Sequence, residues 1–229
     1  MTLIPHDMFP SEWQPALAHS RYQRHLLEAQ PEIVVWLKEF ADCSLDKERM
    51  QGFFASEVPS DEDGLKRTLR RLRQRIMAIL IVRDVGGKAT LAEVVETMTQ
   101  FADAATNFAL DFVHRQLAAQ FGEPLDKLGN PQRLMVIGMG KLGGRELNVS
   151  SDVDFIFIYP EEGETAGGGR KLEAYEFFQR LGKRLIALLD EITGDGQVFR
   201  VDMRLRPNGD SGPLACSLDS LEKYFITQG

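Results

Sequence analysis

Residues 134–159 of the chain read LMVIGMGKLGGRELNVSSDVDFIFIY. The apolar run Leu134–Ile137 ends at a glycine, which predicts a short strand. The run Val153–Tyr159 is rich in β-branched and aromatic residues, which predicts a buried strand. A glycine-rich turn, Gly138–Gly144, lies between them, and Arg145–Leu147 is long enough for one helical turn. This order of strand, turn and strand predicts a small sheet in the second half of the chain.

The sequence after this stretch completes the predicted sheet domain. Glu161–Gly169 holds three acids and four glycines, which predicts a mobile loop. Lys171–Ile192 has apolar residues at helical spacing and is followed by Gly194, a typical helix stop. Gln197–Leu205 is predicted to form a third strand. We therefore expect a small mixed sheet flanked by helices, which gives the chain an α+β class.

The first half of the chain is predicted to be helical. Pro31 opens one segment, and Ser60 with Asp63 three residues later resembles an acidic N-terminal cap. A single apolar stripe then recurs at spacings of four and three. Its members are Leu65, Leu69, Leu72, Ile76, Ile79 and Leu80.

A second long helix is expected after the glycine pair Gly86–Gly87. Thr90 with Glu93 forms a capping-box pattern at its start, and Gly122 followed by Pro124 marks its end. The composition changes near residue 128. We therefore predict a helical domain at residues 1–128 and an α/β domain at residues 129–229.

Composition and charge exclude several classes of protein. The chain has 229 residues, of which 27 are basic and 34 acidic, so its net charge is -7. This charge argues against a generic nucleic-acid binder. The apolar runs are too short to cross a bilayer, and the first residues, MTLIPHDMFPSEW, lack the pattern of a signal peptide. Two cysteines, Cys43 and Cys216, are too few to form a zinc cage or a disulfide framework. A reducing compartment suits such a chain, so we expect a cytoplasmic protein without membrane or nucleic-acid partners.

Acidic residues precede the second predicted strand. Side chains alternate along a strand, so Asp152 and Asp154 are expected to point the same way while Val153 points into the core. Two carboxylates at one strand edge suit Mg²⁺, which prefers hard oxygen ligands. The glycines before them let a backbone approach phosphate oxygens closely.

The third predicted strand carries a further acid and two arginines. Asp202, Arg204 and Arg206 are expected to share one face of this strand, with Met203 and Leu205 on the other. A carboxylate beside two guanidinium groups suits a metal-bound phosphate. Together with the glycine turn and the paired aspartates, this pattern predicts a phosphate and metal site.

These patterns allow two other interpretations. Gly138, Gly140 and Gly143 match the dinucleotide fingerprint, but the acids arrive too early and at the start of a strand, which argues against it. The basic segment Lys66–Arg75 is typical of a solvated helix face. A surface for a polyanion or an acidic partner is the alternative.

Four long segments resemble the glutamine synthetase adenylyltransferase family, which belongs to the DNA polymerase beta-like nucleotidyltransferases. The segments are GMGKLGGRELNVSSDVDFIF at 138–157, FRVDMRLRPNGDSGPL at 199–214, LRRLRQRIMAILIVRD at 69–84 and LAEVVETMTQFADAA at 91–105. The resemblance covers roughly residues 65 to 225, in matching order, and is therefore specific.

The resemblance implies roles for the site residues. Asp152 and Asp154 match the family's paired metal ligands, and Asp202 matches the third acid; these would hold one or two Mg²⁺ ions. Gly143 and Gly144 match its small-residue turn near the phosphates. Further phosphate contacts are expected from Ser150, Ser151, Arg204 and Arg206.

The resemblance also implies an activity. Family members carry two similar catalytic domains, one adding AMP to a tyrosine of glutamine synthetase and one removing it by phosphorolysis with release of ADP. Glu146–Asn148 and Gly209–Gly212 look more like the N-terminal, adenylyl-removing copy. Glutamine synthetase and a PII-type signal protein are the implied partners, and the chain is expected to be an N-terminal fragment of a longer enzyme.

Three alternative functions remain open from the sequence. The domain could be the adenylylating copy that uses ATP. It could be a transferase that modifies an antibiotic or a nucleotide, although the large helical domain counts against this. It could also be a regulatory module that binds nucleotide without catalysis, although retention of Asp152, Asp154 and Asp202 counts against that.

Overall fold

The computed structural model describes residues 9–228. The α-helices lie at Gln14–His19 (α1), Arg21–Ala29 (α2), Ile33–Phe40 (α3), Lys47–Ala55 (α4), Glu62–Val85 (α5), Leu91–Phe121 (α6), Gly140–Gly143 (α7), Ala174–Asp190 (α8) and Leu218–Gln228 (α9). The strands lie at Gly122–Leu125 (β1), Met135–Met139 (β2), Val153–Tyr159 (β3), Glu164–Gly167 (β4), Val201–Asp202 (β5) and Ala215–Ser217 (β6).

The chain divides into two compact units. The first comprises the residues up to Phe101 together with Glu146–Val149, and the second comprises Ala102–Arg145 and the chain from Ser150 onward. Helix α6 contributes residues to both units. The boundary between a helical and a catalytic domain near residue 128 stays a prediction, because compact units and functional domains need not coincide.

Helix α5 forms the core of the first unit. All six residues of its predicted apolar stripe are at most 2% exposed. Its N-terminal cap is Asp61, whose carboxylate accepts a hydrogen bond of 2.7 Å from the backbone N–H of Gly64. The predicted cap at Ser60 is therefore wrong by one residue, because a carboxylate at Asp61 satisfies the same free backbone donors.

The start of α6 confirms half of the predicted capping box. The Thr90 hydroxyl accepts a hydrogen bond of 3.2 Å from the backbone N–H of Glu93. The Glu93 carboxylate is instead bound by the Arg83 guanidinium, with 2.7 Å between Arg83 Nε and Glu93 Oε1. The buried arginine thus takes the carboxylate that the motif assigned to the helix cap.

The second unit contains a mixed sheet centred on β3. Strand β2 pairs with β3 in the antiparallel direction, whereas β5 and β6 pair with the other edge of β3 in the parallel direction. Helix α8 contacts β5 and β6, and α9 contacts β3 and β6. This arrangement confirms the predicted α+β class with a small mixed sheet flanked by helices.

The close approach of α8 to the sheet depends on Gly182. A Cβ atom at this position would lie 2.9 Å from the Phe157 ring, so only glycine lets the helix come so near. Helix α8 is shorter than the predicted Lys171–Ile192, since its first turn begins only at Ala174.

A second, two-stranded sheet was not predicted. Strand β4 lies inside the segment Glu161–Gly169, which was expected to be a mobile loop, and it pairs with β1 in the antiparallel direction. Gly122 and Pro124 do follow the end of α6, as expected, but they belong to β1. Pro124 is tolerated because β1 is an edge strand, in which one missing backbone donor costs little.

Two further predictions of local structure are wrong. The third strand spans only Val201–Asp202 instead of Gln197–Leu205, because the chain turns directly after Asp202. The helical turn lies at Gly140–Gly143 rather than at Arg145–Leu147.

Within residues 9–228, no helix is both long and apolar enough to cross a membrane. The N-terminal stretch that was taken to lack a signal peptide lies mostly outside the described residues.

Candidate active site

Two aspartates meet across neighbouring parallel strands. Asp154 on β3 is the direct register partner of Asp202 on β5, and Val153 is in the same way the partner of Val201. Directly paired residues of adjacent strands project from the same face of a sheet. Asp154 and Asp202 therefore project from one face of the sheet. Val153 on the other face is fully buried, which confirms that it points into the core.

Asp152 is held one residue before β3 by an arginine that the sequence analysis did not single out. Arg200 donates from Nε to Asp152 Oδ1 over 2.5 Å, and its Nη2 forms an ion pair with the same oxygen. The backbone supports this pair, since the N–H of Val153 donates to the carbonyl of Arg200 over 2.9 Å. Arg200 therefore neutralises the charge of the Asp152 carboxylate.

Arg204 holds Asp202 in a similar way. Its backbone N–H donates to Asp202 Oδ1 over 2.8 Å, and its Nε donates to Oδ2 over 2.8 Å. These contacts keep the pKa of the Asp202 carboxyl below its usual range, because they favour the ionised form. The Arg204 side chain remains 76% exposed, so it is free to exchange partners with solvent or ligand.

Asp154 has the opposite electrostatic environment. Burial raises the pKa of its carboxyl, because desolvation disfavours the charged form. The negative charges of Asp202 and Asp152 raise this pKa further. The positive charges of Arg204 and Lys141 lower it in part. A bound cation would relieve this accumulation of negative charge.

Gly140 is the glycine that approaches the acids. Its φ is +52°, a left-handed conformation that favours glycine. A Cβ atom there would lie 2.6 Å from Oδ2 of Asp154. Gly140 directly follows β2, a position from which its approach to the acids was predictable, whereas the resemblance implied Gly143 and Gly144.

Gly143 and Gly144 have structural roles in the glycine-rich turn Gly138–Gly144. A Cβ atom on Gly143 would lie 2.5 Å from the carbonyl oxygen of Gly138, so this position admits only glycine without a shift. Gly144 ends α7, with its N–H donating to the carbonyl of Gly140 over 3.0 Å. Contacts of either glycine with phosphate stay a prediction.

A lysine of the glycine-rich turn contacts one of the predicted serines. Lys141 Nζ donates to the Ser151 hydroxyl over 3.2 Å. Its charge also lowers the pKa of Asp154. Ser150 lies in the exposed turn just before Ser151. Lys141 therefore adds a third positive group, after Arg200 and Arg204, to the surroundings of the acids.

Arg206 lies elsewhere than the alternation argument placed it. Because the strand ends at Asp202, the prediction that Arg204 and Arg206 share a strand face with Asp202 is wrong. Arg206 Nη1 donates to the Met203 carbonyl over 2.8 Å, and its side chain is only 12% exposed. Nε also reaches the Gly212 carbonyl over 3.5 Å, so Arg206 holds the turn after β5 together.

The three acids do not form one ready metal-binding cluster. Among residues 9–228, no three His, Cys, Asp or Glu side chains are arranged to hold a metal ion. Convergence of Asp152, Asp154 and Asp202 on one or two ions stays a prediction. In this structure Arg200 binds the Asp152 carboxylate and Arg204 binds the Asp202 carboxylate. The donor set fits Mg²⁺, since Asp154 and Asp202 supply hard carboxylate oxygens from directly paired residues.

Comparison with known proteins decides the family. The sequence profile of the glutamate-ammonia ligase adenylyltransferase family matches residues 12–229. The chain belongs to this family. The resemblance inferred from the motifs is thereby confirmed, and it extends well upstream of residue 65.

Curated members of the glutamate-ammonia ligase adenylyltransferase family align along most of the chain. A bifunctional glutamine synthetase adenylyltransferase/adenylyl-removing enzyme of Aromatoleum aromaticum is 50% identical over 96% of the chain. Proteins of the same name from Chromobacterium violaceum and Burkholderia mallei are 50% and 49% identical over 96% and 93% of the chain. The aligned region makes up 23%, 25% and 24% of these relatives, respectively, so the chain spans about a quarter of their length.

Proposed function

We propose that this site removes AMP from an adenylylated tyrosine of glutamine synthetase by phosphorolysis, with release of ADP. The register pairing of Asp154 with Asp202 carries the proposal, because it puts two carboxylates side by side beneath the glycine turn. Membership of a nucleotidyltransferase family supports it. So do the names of the relatives, which include adenylyl removal.

Asp154 and Asp202, together with Asp152, would hold one or two Mg²⁺ ions. Bound there, Mg²⁺ would offset negative charge on the phosphoryl oxygens. The raised pKa of Asp154 supports this assignment, since neighbouring carboxylates in a partly buried site favour a cation between them.

The exposed arginines would bind the phosphates in the proposed reaction. Arg200 and Arg204 now neutralise Asp152 and Asp202 through side chains that are 68% and 76% exposed. Their guanidinium groups can turn to phosphate oxygens, which they bind in a bidentate manner. Lys141 would contribute a third positive charge, and the absence of a side chain at Gly140 would let the substrate approach Asp154 closely.

The remaining predicted phosphate contacts have weaker support. Ser151 lies beside Lys141, which favours a role at the phosphates. Ser150, Gly143 and Gly144 are close to it in the chain. Arg206 is engaged with backbone carbonyls, so we assign it the support of the turn that carries Arg204.

The proposed reaction balances without a protein base. An oxygen of inorganic phosphate attacks the phosphorus of the tyrosine-bound AMP, and the bond from that phosphorus to the tyrosine oxygen breaks. The proton of the attacking phosphate passes to the tyrosine oxygen, and ADP leaves. Catalysis of this type depends mainly on positioning and on neutralising charge in the transition state.

The direction of the reaction rests on the motifs rather than on the site, because the same acids serve transfer of AMP in both directions. The adenylylating copy is therefore the second candidate. The test is the parent-length protein with Asp154→Asn, with Asp219→Asn on the exposed face of α9 as a matched control.

Asp154→Asn should lower phosphate-dependent deadenylylation at least about 100-fold, the scale seen when a group that stabilises transition-state charge is removed. Adenylylation with ATP should persist, and Asp219→Asn should change neither activity. Loss of adenylylation alone would show that the two copies are assigned the wrong way round. Full retention of both activities would reject the site.

The family resemblance adds two predictions about the longer protein. A PII-type signal protein is the expected regulator of the activity. A cytoplasmic location is expected because glutamine synthetase, the proposed substrate, has to be accessible.

A further inference from the structure

A cavity of about 320 Å³ opens beside the N-terminal half of α5, in the first compact unit. The turn at residues 57–60 forms one wall, and Arg67, Thr68, Arg71 and Arg75 line the helix side. Residues four apart lie on the same face of a helix, at a rise of about 6 Å. Three arginines at this spacing therefore face one cavity.

Of the three arginines that line the cavity, only Arg75 has an ion pair among the described residues. Arg75 Nη1 lies 3.8 Å from Glu57 Oε1, and its guanidinium carbon lies 4.9 Å from the centre of the Trp36 ring. Arg67 and Arg71 are exposed, and neither has a side-chain hydrogen bond or ion pair within residues 9–228. Glu57, the one acid that lines the cavity among these residues, is paired with Arg75. Arg67 and Arg71 thus have no ion pair among the described residues.

The fold does not account for this pair of arginines. Like charges four residues apart destabilise a helix, and Arg67, Arg71 and Arg75 make two such pairs in succession. Other arginines of α5 have structural partners. Arg73 donates to the Val149 carbonyl over 3.0 Å, and Arg83 binds Glu93. A ligand of opposite charge would remove the repulsion that Arg67 and Arg71 impose.

We propose that this cavity binds the phosphate group of a small phosphorylated molecule, held by Arg67 and Arg71. The guanidinium fork matches phosphate oxygens in a bidentate manner. The hydroxyls of Ser60 and Thr68 line the same cavity and add donors. A carboxylate offers only two acceptor oxygens to these donors, whereas a terminal phosphate offers three and carries up to two charges. The volume is at the lower end of the range for small-ligand sites.

Calorimetric titration with inorganic pyrophosphate, without divalent cations, tests the proposal. All proteins carry Arg200→Gln and Arg204→Gln, so that the candidate active site does not contribute. Into this background we place Arg67→Gln with Arg71→Gln. The matched control is Arg21→Gln with Lys47→Gln, which makes the same change of charge at exposed positions of the same unit.

The cavity variant should bind pyrophosphate at least tenfold more weakly than the background, and the control should stay within twofold. Its melting temperature should hold or rise, because the substitutions remove repulsion between exposed side chains. Citrate should bind the background at least tenfold more weakly than pyrophosphate. No binding in the background, equal binding in the cavity variant, or citrate binding as tight as pyrophosphate would each overturn the proposal.

Discussion

The two units use the same kind of ion pair in different ways. In the first unit, the Arg83 guanidinium is 7% exposed and donates to the Glu93 carboxylate and to the carbonyls of Ala41 and Lys88. In the second unit, Arg200 and Arg204 bind Asp152 and Asp202 but remain 68% and 76% exposed. A buried arginine with several acceptors fixes a fold, whereas an exposed one costs little to move. The buried Arg83 pair is therefore structural, whereas the exposed pairs of Arg200 and Arg204 can be replaced by a ligand. The three pairs differ in burial and not in residue type.

The largest expected effect on stability comes from breaking the buried pair. Arg83→Met keeps most of the apolar stem but leaves the Glu93 carboxylate and the Ala41 carbonyl without their donor. We expect the free energy of unfolding to fall by about 2–4 kcal/mol, as for a buried pair that loses one partner. Urea unfolding measures this.

Arg200→Met is the matched control for that experiment. It removes the same group from an exposed pair, so the free energy of unfolding should stay within about 0.5 kcal/mol. Similar losses in both variants would contradict the distinction between the two kinds of pair.

A smaller effect on stability is expected at the glycine beside the acids. Gly140→Ala puts a Cβ atom into a left-handed backbone position, which costs about 1–2 kcal/mol, and forces the Asp154 carboxylate to move. Gly194→Ala is the control, because nothing lies within 4 Å of its Cβ position. In the parent-length protein, Gly140→Ala should lower the deadenylylation activity by more than its loss of stability explains. Gly194→Ala should leave this activity unchanged. Equal activity of both variants would mean that Asp154 has room to shift.

The smallest effect concerns a buried pair whose charge depends on pH. His114 is 2% exposed, and its ring lies 2.8 Å from Glu123 Oε1. Burial lowers the pKa of His114, and the hydrogen bond to Glu123 offsets this only in part. The unfolded chain therefore takes up this proton more readily than the folded one as the pH falls below about 6.5.

Stability from this group should be complete above about pH 6.5 and should decline below it. Between pH 7.5 and 5.5, the free energy of unfolding should fall further in the wild type than in His114→Gln, by about 1 kcal/mol or less. Urea unfolding at both pH values measures this difference. An equal decline in the two proteins would show that the Glu123 contact compensates fully for burial.

Long, strongly patterned elements were predictable from the sequence. Strand Val153–Tyr159 has the predicted bounds, and α5 buries the expected stripe. The missed strands have weak local signals, since β1 contains a proline, β4 lies in a glycine-rich segment and β6 has three residues. Such strands form because they pair with a strand that is distant in the sequence. The local sequence pattern does not predict this pairing.

The acids of the candidate site and Arg204 were predictable from the sequence, whereas Arg200 was not. Asp154 and Asp202 could be predicted as site residues because each lies in a segment with the pattern of a strand. The strand argument failed beyond Asp202, where the chain turns toward the left-handed Asn208 and leaves Arg206 on backbone carbonyls. Arg200 was missed because its importance comes from a contact with Asp152, 48 residues earlier.

One edge of β3 is shared by two short strands, and this division has a consequence for motion. Strand β5 pairs with Val153 and Asp154, whereas β6 pairs with the segment from Phe157 to Tyr159. The two-residue pairing that joins the acids can therefore open as a local event while β2 and β6 keep the rest of β3 in place. A change in the spacing between Asp154 and Asp202 would therefore require only this two-residue pairing to break.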